Sequence, residues 1–475
     1  MKIVFAKIHD ATRDLYLTSL QYPVNIAYLA QVCIDAGYEV EMWDFCLEEF
    51  SEEYLIDKLS KSKPDILGLS CVTSAVINGH KLASIAKNVN SDILTIVGGV
   101  HVTALPEQTL NEFPNFDLGV LTEGEDIILE VCAAYEKKVF PKNIPGTIYR
   151  ENGEIVRPPA RTDYPDVNLI PYPNRDLIPL ENYGAKHTIR GVSRDVWRVI
   201  EVDSSRGCPY ACTFCNVELT HGRKTRFRTP DNILGEIEQC VKTFDTNFVV
   251  FNDSTFTIRK DRVQEIVKAL PGIGIEGYSV NAHVNTVDEE MLRTLKDTGC
   301  YKVMYGVESG SDRVLREVKK NSTQDRIRKA INLSKKVGIP QVETTFIIGA
   351  DIHETEEDVQ QTENLICELS PDILGLGIIT PFPGTDQYVQ MKQLGLFEDV
   401  TWDDFLIFCE TPPPWRTANF SAEELVEVRN RILKKYIWSP QYVLQKLRKV
   451  RSWAELAYYA TMAKSFYKVV IRHAQ

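Results

Sequence analysis

Nowhere in the 475 residues is there an uninterrupted apolar run of about 18, the length a membrane-spanning helix needs. The N-terminus, Met1-Lys2-Ile3-Val4-Phe5-Ala6, enters a strand-like run without the apolar core and cleavage site of a secretory leader, so a cytoplasmic location is expected. The eleven cysteines do not form the spaced framework of a disulfide-stapled domain, which also fits a reducing compartment. An excess of basic charge is missing too: the net charge of −12 argues against nucleic acid as the main partner. With 44% hydrophobic and 25% charged residues the chain has no signature of disorder, and its length favours about three folded domains.

A further absence concerns the cysteines themselves. Cys208, Cys212 and Cys215 stand at a C-x3-C-x2-C spacing in Arg206-Gly207-Cys208-Pro209-Tyr210-Ala211-Cys212-Thr213-Phe214-Cys215, after a strand-like run from Val199 to Val202. No fourth cysteine lies near; the next, Cys240, falls inside an apparent helix. Three soft thiolates this close suit an iron–sulfur cluster, which normally takes four. A 4Fe–4S cluster held by three would keep one iron open to a small molecule. Zinc is the alternative metal, but it wants a fourth Cys or His, and His221 is the one nearby candidate. Three unrelated buried thiols are the remaining alternative.

Around this loop the chain alternates strands and helices. Strands are expected over Lys2–Lys7, Glu39–Asp44, Ile66–Ser70 and Ile93–Val97, with helices over Asn25–Ala36, Tyr54–Ser60 and Gly79–Val89. This predicts a doubly wound, Rossmann-like parallel sheet over residues 1–140, with ligands bound beyond the strand C-termini. Prolines crowd residues 141–195, where a hairpin turning at Asn152-Gly153 and an extended linker are expected. Residues 196–385 resume the alternation, with strands over Val199–Val202, Asn247–Phe251, Gly274–Val280, Lys302–Val307, Val342–Ile348 and Ile373–Ile379. Six parallel strands make a partial (β/α)6 TIM barrel with its chemistry at the strand C-termini. Residues 386–475 read as a mainly helical region that closes the barrel mouth. From Arg431 onward it carries about ten Lys/Arg against one acidic residue, Glu455, interleaved with aromatics. Such a tail suits peripheral contact with an anionic membrane, or a solvated basic face on helices packed against an acidic body.

The cysteine motif, with an aromatic before its last cysteine, resembles the signature of the radical S-adenosylmethionine superfamily. The resemblance implies that S-adenosylmethionine chelates the open iron and is cleaved to a 5′-deoxyadenosyl radical. Pro23-x4-Tyr28-Leu29-Ala30, Ala36-Gly37-Tyr38-Glu39-Val40, Pro64 to Ser70, Gly98-Gly99-Val100-His101 and Glu123-Gly124-Glu125 are similar to the cobalamin-binding domain that precedes the barrel in one subgroup. That likeness implies a corrin ring near Ser70 to Ser74, Thr73 included, and a nucleotide tail contacted around Gly98, Gly99 and His101. The Asp-x-His-x-x-Gly motif that gives better-known cobalamin proteins a cobalt-ligating histidine is absent, which leaves the lower cobalt ligand undefined.

In the barrel, Gly306 to Ser311 is similar to the family segment that contacts the ribose and methionine moieties, which assigns Glu308 and Ser309. Phe346-Ile347-Ile348-Gly349 with Glu354 to Glu357 is similar to the adenine-supporting strand and turn. Asn252-Asp253 stands where relatives bind the methionine ammonium, and Phe214 is expected to stack near the adenine or to pack the loop. Arg223, Lys224, Arg226 and Arg228 form a basic run that reads either as an anion clamp or as a solvated loop. The activity implied is methyl transfer to an unactivated carbon or phosphorus of a small or lipid-like substrate, with an external flavodoxin- or ferredoxin-type reductant. One S-adenosylmethionine would supply the methyl group and a second the radical. Ring closure or rearrangement with the same cofactors, and a non-catalytic cobalamin- or cluster-binding role, are the alternatives.

Overall fold

A computed structural model describes residues 1–9, 21–183, 197–407 and 411–449. The first sheet is built on β1 (Lys2–Lys7), β2 (Glu39–Asp44), β3 (Ile66–Ser70), β4 (Leu94–Gly98) and β5 (Leu118–Val120), all parallel, in the order β2-β1-β3-β4-β5. Successive side chains of a strand face opposite ways, and here both faces are apolar. Ile3 and Phe5 pack with Ile26, Ala30, Ile127 and Val131 on one side. Val4 and Ala6 pack with Leu55, Leu59, Leu82 and Ala86 on the other. Helices Val24–Asp35 and Glu125–Tyr135 therefore cover one face, and Glu52–Ser62 and Val76–Val89 the other. The strand order reverses between β1 and β3, which puts the ligand crevice beyond Lys7 and Ser70.

The hairpin expected in the linker belongs to this sheet. β6 (Thr147–Glu151) pairs antiparallel with β5, and β7 (Glu154–Val156) pairs antiparallel with β6. The first sheet thus extends to Val156, into the stretch read from the sequence as hairpin and linker. The reason is packing: Ile148 is fully buried in one core and Tyr149 almost fully in the other.

The second sheet contains β8 (Val199–Val202), β11 (Phe248–Phe251), β12 (Gly277–Ala282), β13 (Cys300–Glu308), β14 (Gln341–Ile348) and β15 (Ile373–Ile378), in the order β15-β14-β13-β12-β11-β8, all parallel. A two-stranded ribbon, β9 (Ser205–Arg206) with β10 (Arg226–Phe227), rises from the end of β8. Edges at β8 and β15 leave the barrel open, as six strands should. The intervening helices start at side-chain caps: Thr229, Asp288, Thr323 and Thr355 each accept a backbone N–H of the first turn. Thr229 with Pro230 at the first helical position stands as the sequence predicts.

The C-terminal region divides its work. Helix Ala422–Ile437 packs on the outer wall of β14 and β15 through Leu425, Val428 and Ile432, whose i, i+3, i+7 spacing makes one apolar stripe. The preceding segment crosses to the first unit, where Trp402 donates to Glu112 at 2.7 Å. Arg431 and Lys435 pair with the acidic surface at Glu356 and Glu363. Residues 450–475, the rest of the basic aromatic tail, lie outside the described residues.

Candidate functional site

Cys208, Cys212 and Cys215 lie in the loop leaving β9, before helix Val217–His221. Gly207 makes the loop possible: its φ is +90°, and a Cβ there would stand 2.6 Å from the carbonyl oxygen of Lys224 and 3.0 Å from that of Gly222. The β9–β10 ribbon ties the neck of the loop. Its tip is held by Thr213, whose N–H donates to Val318 at 3.2 Å and whose carbonyl accepts from Gln387 at 3.1 Å. Tyr210 stacks on His283 at 4.0 Å with an interplanar angle of 14°. Cys208 and Cys212 are half-buried and Cys215 is exposed. No set of three or more His, Cys, Asp or Glu side chains among the described residues is gathered as ligands of a single metal ion. A cubane takes one thiolate on each of three separate irons, so this donor set suits the cluster better than zinc.

A buried ion pair stands beside the thiols. The β13–β14 register shifts between Gly306 and Glu308, and Glu308 takes a φ of +69° at this bulge. Its carboxylate accepts from Lys320 Nζ at 2.7 Å. Both groups act electrostatically on Cys212 and Cys215. Burial would lower the Lys320 pKa, but Glu308 and the two thiols hold it above its ordinary value. Sequence reasoning names Glu308 but not Lys320, which sits in a loop with no recognisable motif. Ser309 is buried against Thr362 (Oγ to Oγ1, 3.2 Å), which moors the segment after β13 to helix Glu356–Leu369.

Asp253 lies under the cysteine loop. It accepts from the Ser204 N–H at 3.2 Å, from Ser204 Oγ at 2.8 Å and from Ser205 Oγ. Burial pushes its pKa up despite those bonds. Both oxygens are spent on the segment that leads to Cys208, and Glu308 is the carboxylate beside the thiols. Phe214 packs with Val314, Val318, Ala350 and Ile347, between the loop and the end of β14. Beyond β14, the buried Glu354 accepts from the Gly349 N–H at 2.5 Å. Gln387 donates to the carbonyls of Gly349 (3.2 Å) and Ala350 (2.7 Å).

The first unit presents a cradle at its strand ends. Ser70 Oγ accepts from Asn25 at 2.8 Å, and the N–H of Cys71 donates to Gly98 at 2.9 Å. Val72 follows, 49% exposed, an apolar face at the crevice; Thr73 is buried in a short turn. A Cβ on Gly98 would meet nothing within 4 Å, whereas one on Gly99, at φ +105°, would lie 2.5 Å from the Cys71 carbonyl oxygen. His101 is fully buried with neither ring nitrogen hydrogen-bonded, its ring 4.8 Å from that of Trp402. Burial lowers its pKa to about 4, so the imidazole is neutral. Glycine-lined backbone, an apolar residue at the crevice and a neutral orphan imidazole fit a large flat cofactor with a polar tail, which is the shape of cobalamin.

The two halves meet. Gly384, in the loop after β15, has φ +82°, and a Cβ there would press on Leu219 of the helix after the cysteines and on Ala104 at 3.0 Å, just past β4. Of the basic run, Arg223 pairs with Glu218 at the surface and Lys224 is exposed. Arg226 pairs with Glu123, and Arg228 with Glu236 at 2.6 Å. The second pair of the run therefore sits in ion pairs, neither solvated nor free to clamp an anion.

A three-thiolate loop at the open end of a six-stranded partial barrel, facing a cradle of this kind, defines a class: iron–sulfur enzymes that use S-adenosylmethionine and carry a cobalamin domain. The comparisons agree. The Radical SAM superfamily model matches residues 202–366, and the B12 binding domain model matches residues 16–132. The chain belongs to the radical SAM superfamily, in the branch that carries a B12-binding domain. It is 29% identical over 426 residues, 90% of each chain, to an uncharacterized methyltransferase of Pyrococcus horikoshii. It is 30% identical over 378 residues, 78% of this chain and 66% of the relative, to the anaerobic magnesium-protoporphyrin IX monomethyl ester cyclase of Rubrivivax gelatinosus. In fold it is similar to the cobalamin-dependent S-adenosylmethionine radical enzyme OxsB, solved with aqua-cobalamin and S-adenosylmethionine: TM-score 0.73, 17% identity, covering 98% of this chain and 71% of that one.

Proposed function

We propose that the protein transfers a methyl group from S-adenosylmethionine to an unactivated carbon or phosphorus of a small molecule. The observation that supports this reading is the close approach of Gly384 to Leu219 and Ala104, which brings the helix after the cysteines against the segment just past β4. When bound, the cluster supplies the electron that cleaves S-adenosylmethionine, and the corrin supplies the methyl carrier. The chain's own part is placement. Cys208, Cys212 and Cys215 would hold the cluster. Glu308 and Lys320, a pair of opposite charges, would serve as partners for the ammonium and carboxylate of S-adenosylmethionine. Asp253 braces the loop through Ser204 and Ser205, and Phe214 with Ser309 keeps the strand ends in place. Ser70, Thr73, Gly98, Gly99 and His101 would receive the cobalamin.

Ring closure with the same cofactors is the second reading, favoured by the likeness to the cyclase. Anaerobic reconstitution with iron, sulfide and hydroxocobalamin, followed by reduction in the presence of S-adenosylmethionine, tests both. Methyl transfer gives S-adenosylhomocysteine as well as 5′-deoxyadenosine and adds about one CH2 to the product; ring closure or rearrangement gives 5′-deoxyadenosine without S-adenosylhomocysteine. A chain that binds zinc, or that releases neither nucleoside, sinks the proposal. A flavodoxin- or ferredoxin-type protein is the natural electron donor. A cytoplasmic location is part of the proposal; no helix among the described residues is long and apolar enough to cross a membrane. Contact of the basic tail with an anionic membrane surface is part of the same proposal.

A further inference from the structure

We propose that Glu123 is a positioning residue: with Arg206 it locks the cluster loop onto the cobalamin-binding domain and so sets the separation of the two cofactors. The inference rests on the two-cofactor reading above and names what holds that geometry.

Glu123 lies just past β5, its side chain 2% exposed. Arg206 Nη1 donates to its Oε2 at 3.0 Å, and His221 Nδ1 is 2.7 Å from its Oε1. Arg226 donates through Nη1 to Oε2 at 3.0 Å and through Nη2 to Oε1. The other terminal nitrogen of Arg206, Nη2, reaches Glu125 Oε1 at 2.6 Å. All three of these partner side chains flank the cysteine loop. Arg206 is two residues before Cys208, Arg226 is its partner in the β9–β10 ladder, and His221 ends the helix after Cys215. Arg206 also lies over the Tyr28 ring at 5.1 Å and Arg226 over Tyr164 at 4.5 Å, which fixes the plane of each guanidinium.

Burial would raise the Glu123 carboxyl, but His221 and the arginines hold it at about 2, so it stays a carboxylate throughout the working pH range. One contact between two bodies fixes a distance and leaves rotation free. Three contacts to both strands of the neck and to the far side of the loop fix orientation as well. The arrangement is also directional: the network joins the first domain to the loop that carries the thiols, not to the barrel wall.

The test is Glu123→Gln in the full chain. In the apo protein, amides of residues 205–206 and 226–227 should exchange at least about tenfold faster, because charge-assisted hydrogen bonds at this neck are lost. In the reconstituted protein, iron and cobalamin contents should match wild type. Pulsed EPR of the reduced cluster with cob(II)alamin should then show a shifted or broadened spin–spin distance distribution. Faster exchange with an unchanged distribution would reduce Glu123 to a structural contact and overturn the proposal, as would no change in either. If cobalamin does not bind even to wild type, the functional reading fails, and the exchange result alone decides whether the latch exists. If Glu123→Gln also loosens β1 and β3, Glu125→Gln, which releases Arg206 only, decides in its place.

Discussion

Glu354 supports the turn after β14, and its ionisation should set an alkaline limit on the protein. The carboxyl is fully buried; one oxygen accepts from the Gly349 N–H and the other has no partner. Burial raises its pKa from 4.5 to about 8, Asp358 and Asp351 adding to the effect. Between those values the native state holds a proton that the unfolded chain has released, so stability falls as pH rises from about 4.5 to 8 and levels off above. Fully expressed, the difference corresponds to about 4–5 kcal/mol. Glu201, raised by burial to about 7, adds a smaller change of the same sign. Urea unfolding of the apo chain at a series of pH values between 5 and 9 reads this out. The wild-type midpoint should drop across the range, and Glu354→Gln should remove most of the slope while staying folded at pH 5. An equal slope in the variant would refute the assignment of a buried neutral carboxyl at this turn.

Three further outcomes follow from the site. Gly99→Ala, forced into a backbone region that is nearly glycine-only at a cost of about 1–3 kcal/mol and against the Cys71 carbonyl, should lower the cobalamin retained per chain severalfold, measured by absorbance, with iron content unchanged. Lys320→Met removes a charge-assisted partner worth about 1.5–3 kcal/mol and leaves Glu308 unpaired, so S-adenosylmethionine affinity by equilibrium dialysis should fall about 10- to 100-fold. His101, with its pKa lowered by burial from 6.5 to about 4, binds fewer protons in the native state than in the unfolded one across that window. Stability should therefore fall as pH drops from about 6.5 to 4, and His101→Phe should flatten that acid limb in the same unfolding assay.

Much of this molecule is legible in the sequence because its signals are local. The strands of both sheets are short apolar runs, and the thiols declare themselves by spacing. What escapes is set by distant partners. β5 has three residues, too few for a periodic pattern, and the hairpin's attachment to it depends on cores that both strands help build. The basic run leaves two readings open because the residue that resolves it, Glu123, lies 103 positions before Arg226. The hydroxyls that donate to Asp253, on Ser204 and Ser205, are 49 and 48 positions away in the chain. Lys320 belongs to no motif and matters only because the bulge in β13 turns Glu308 toward it.

The geometry of parallel sheets explains why the functional residues fall where they do. Each sheet gathers its loops at one edge, beyond the strand C-termini, and each would bind its cofactor there if it stood alone. Two such edges can serve a single reacting centre only if they face one another. That juxtaposition buries loop backbone and charge that would otherwise be hydrated. Burying ionised groups is costly unless each is matched, so the interface needs paired carboxylates and cations rather than an apolar seam. Glu123 and Glu125 with Arg206 and Arg226, at the neck of the cysteine loop, satisfy that need at the point where the two edges must stay in register. The acidic segment that resembles part of a cobalamin domain and the arginine that opens the cysteine motif are thus two sides of one contact, and neither is explained without the other.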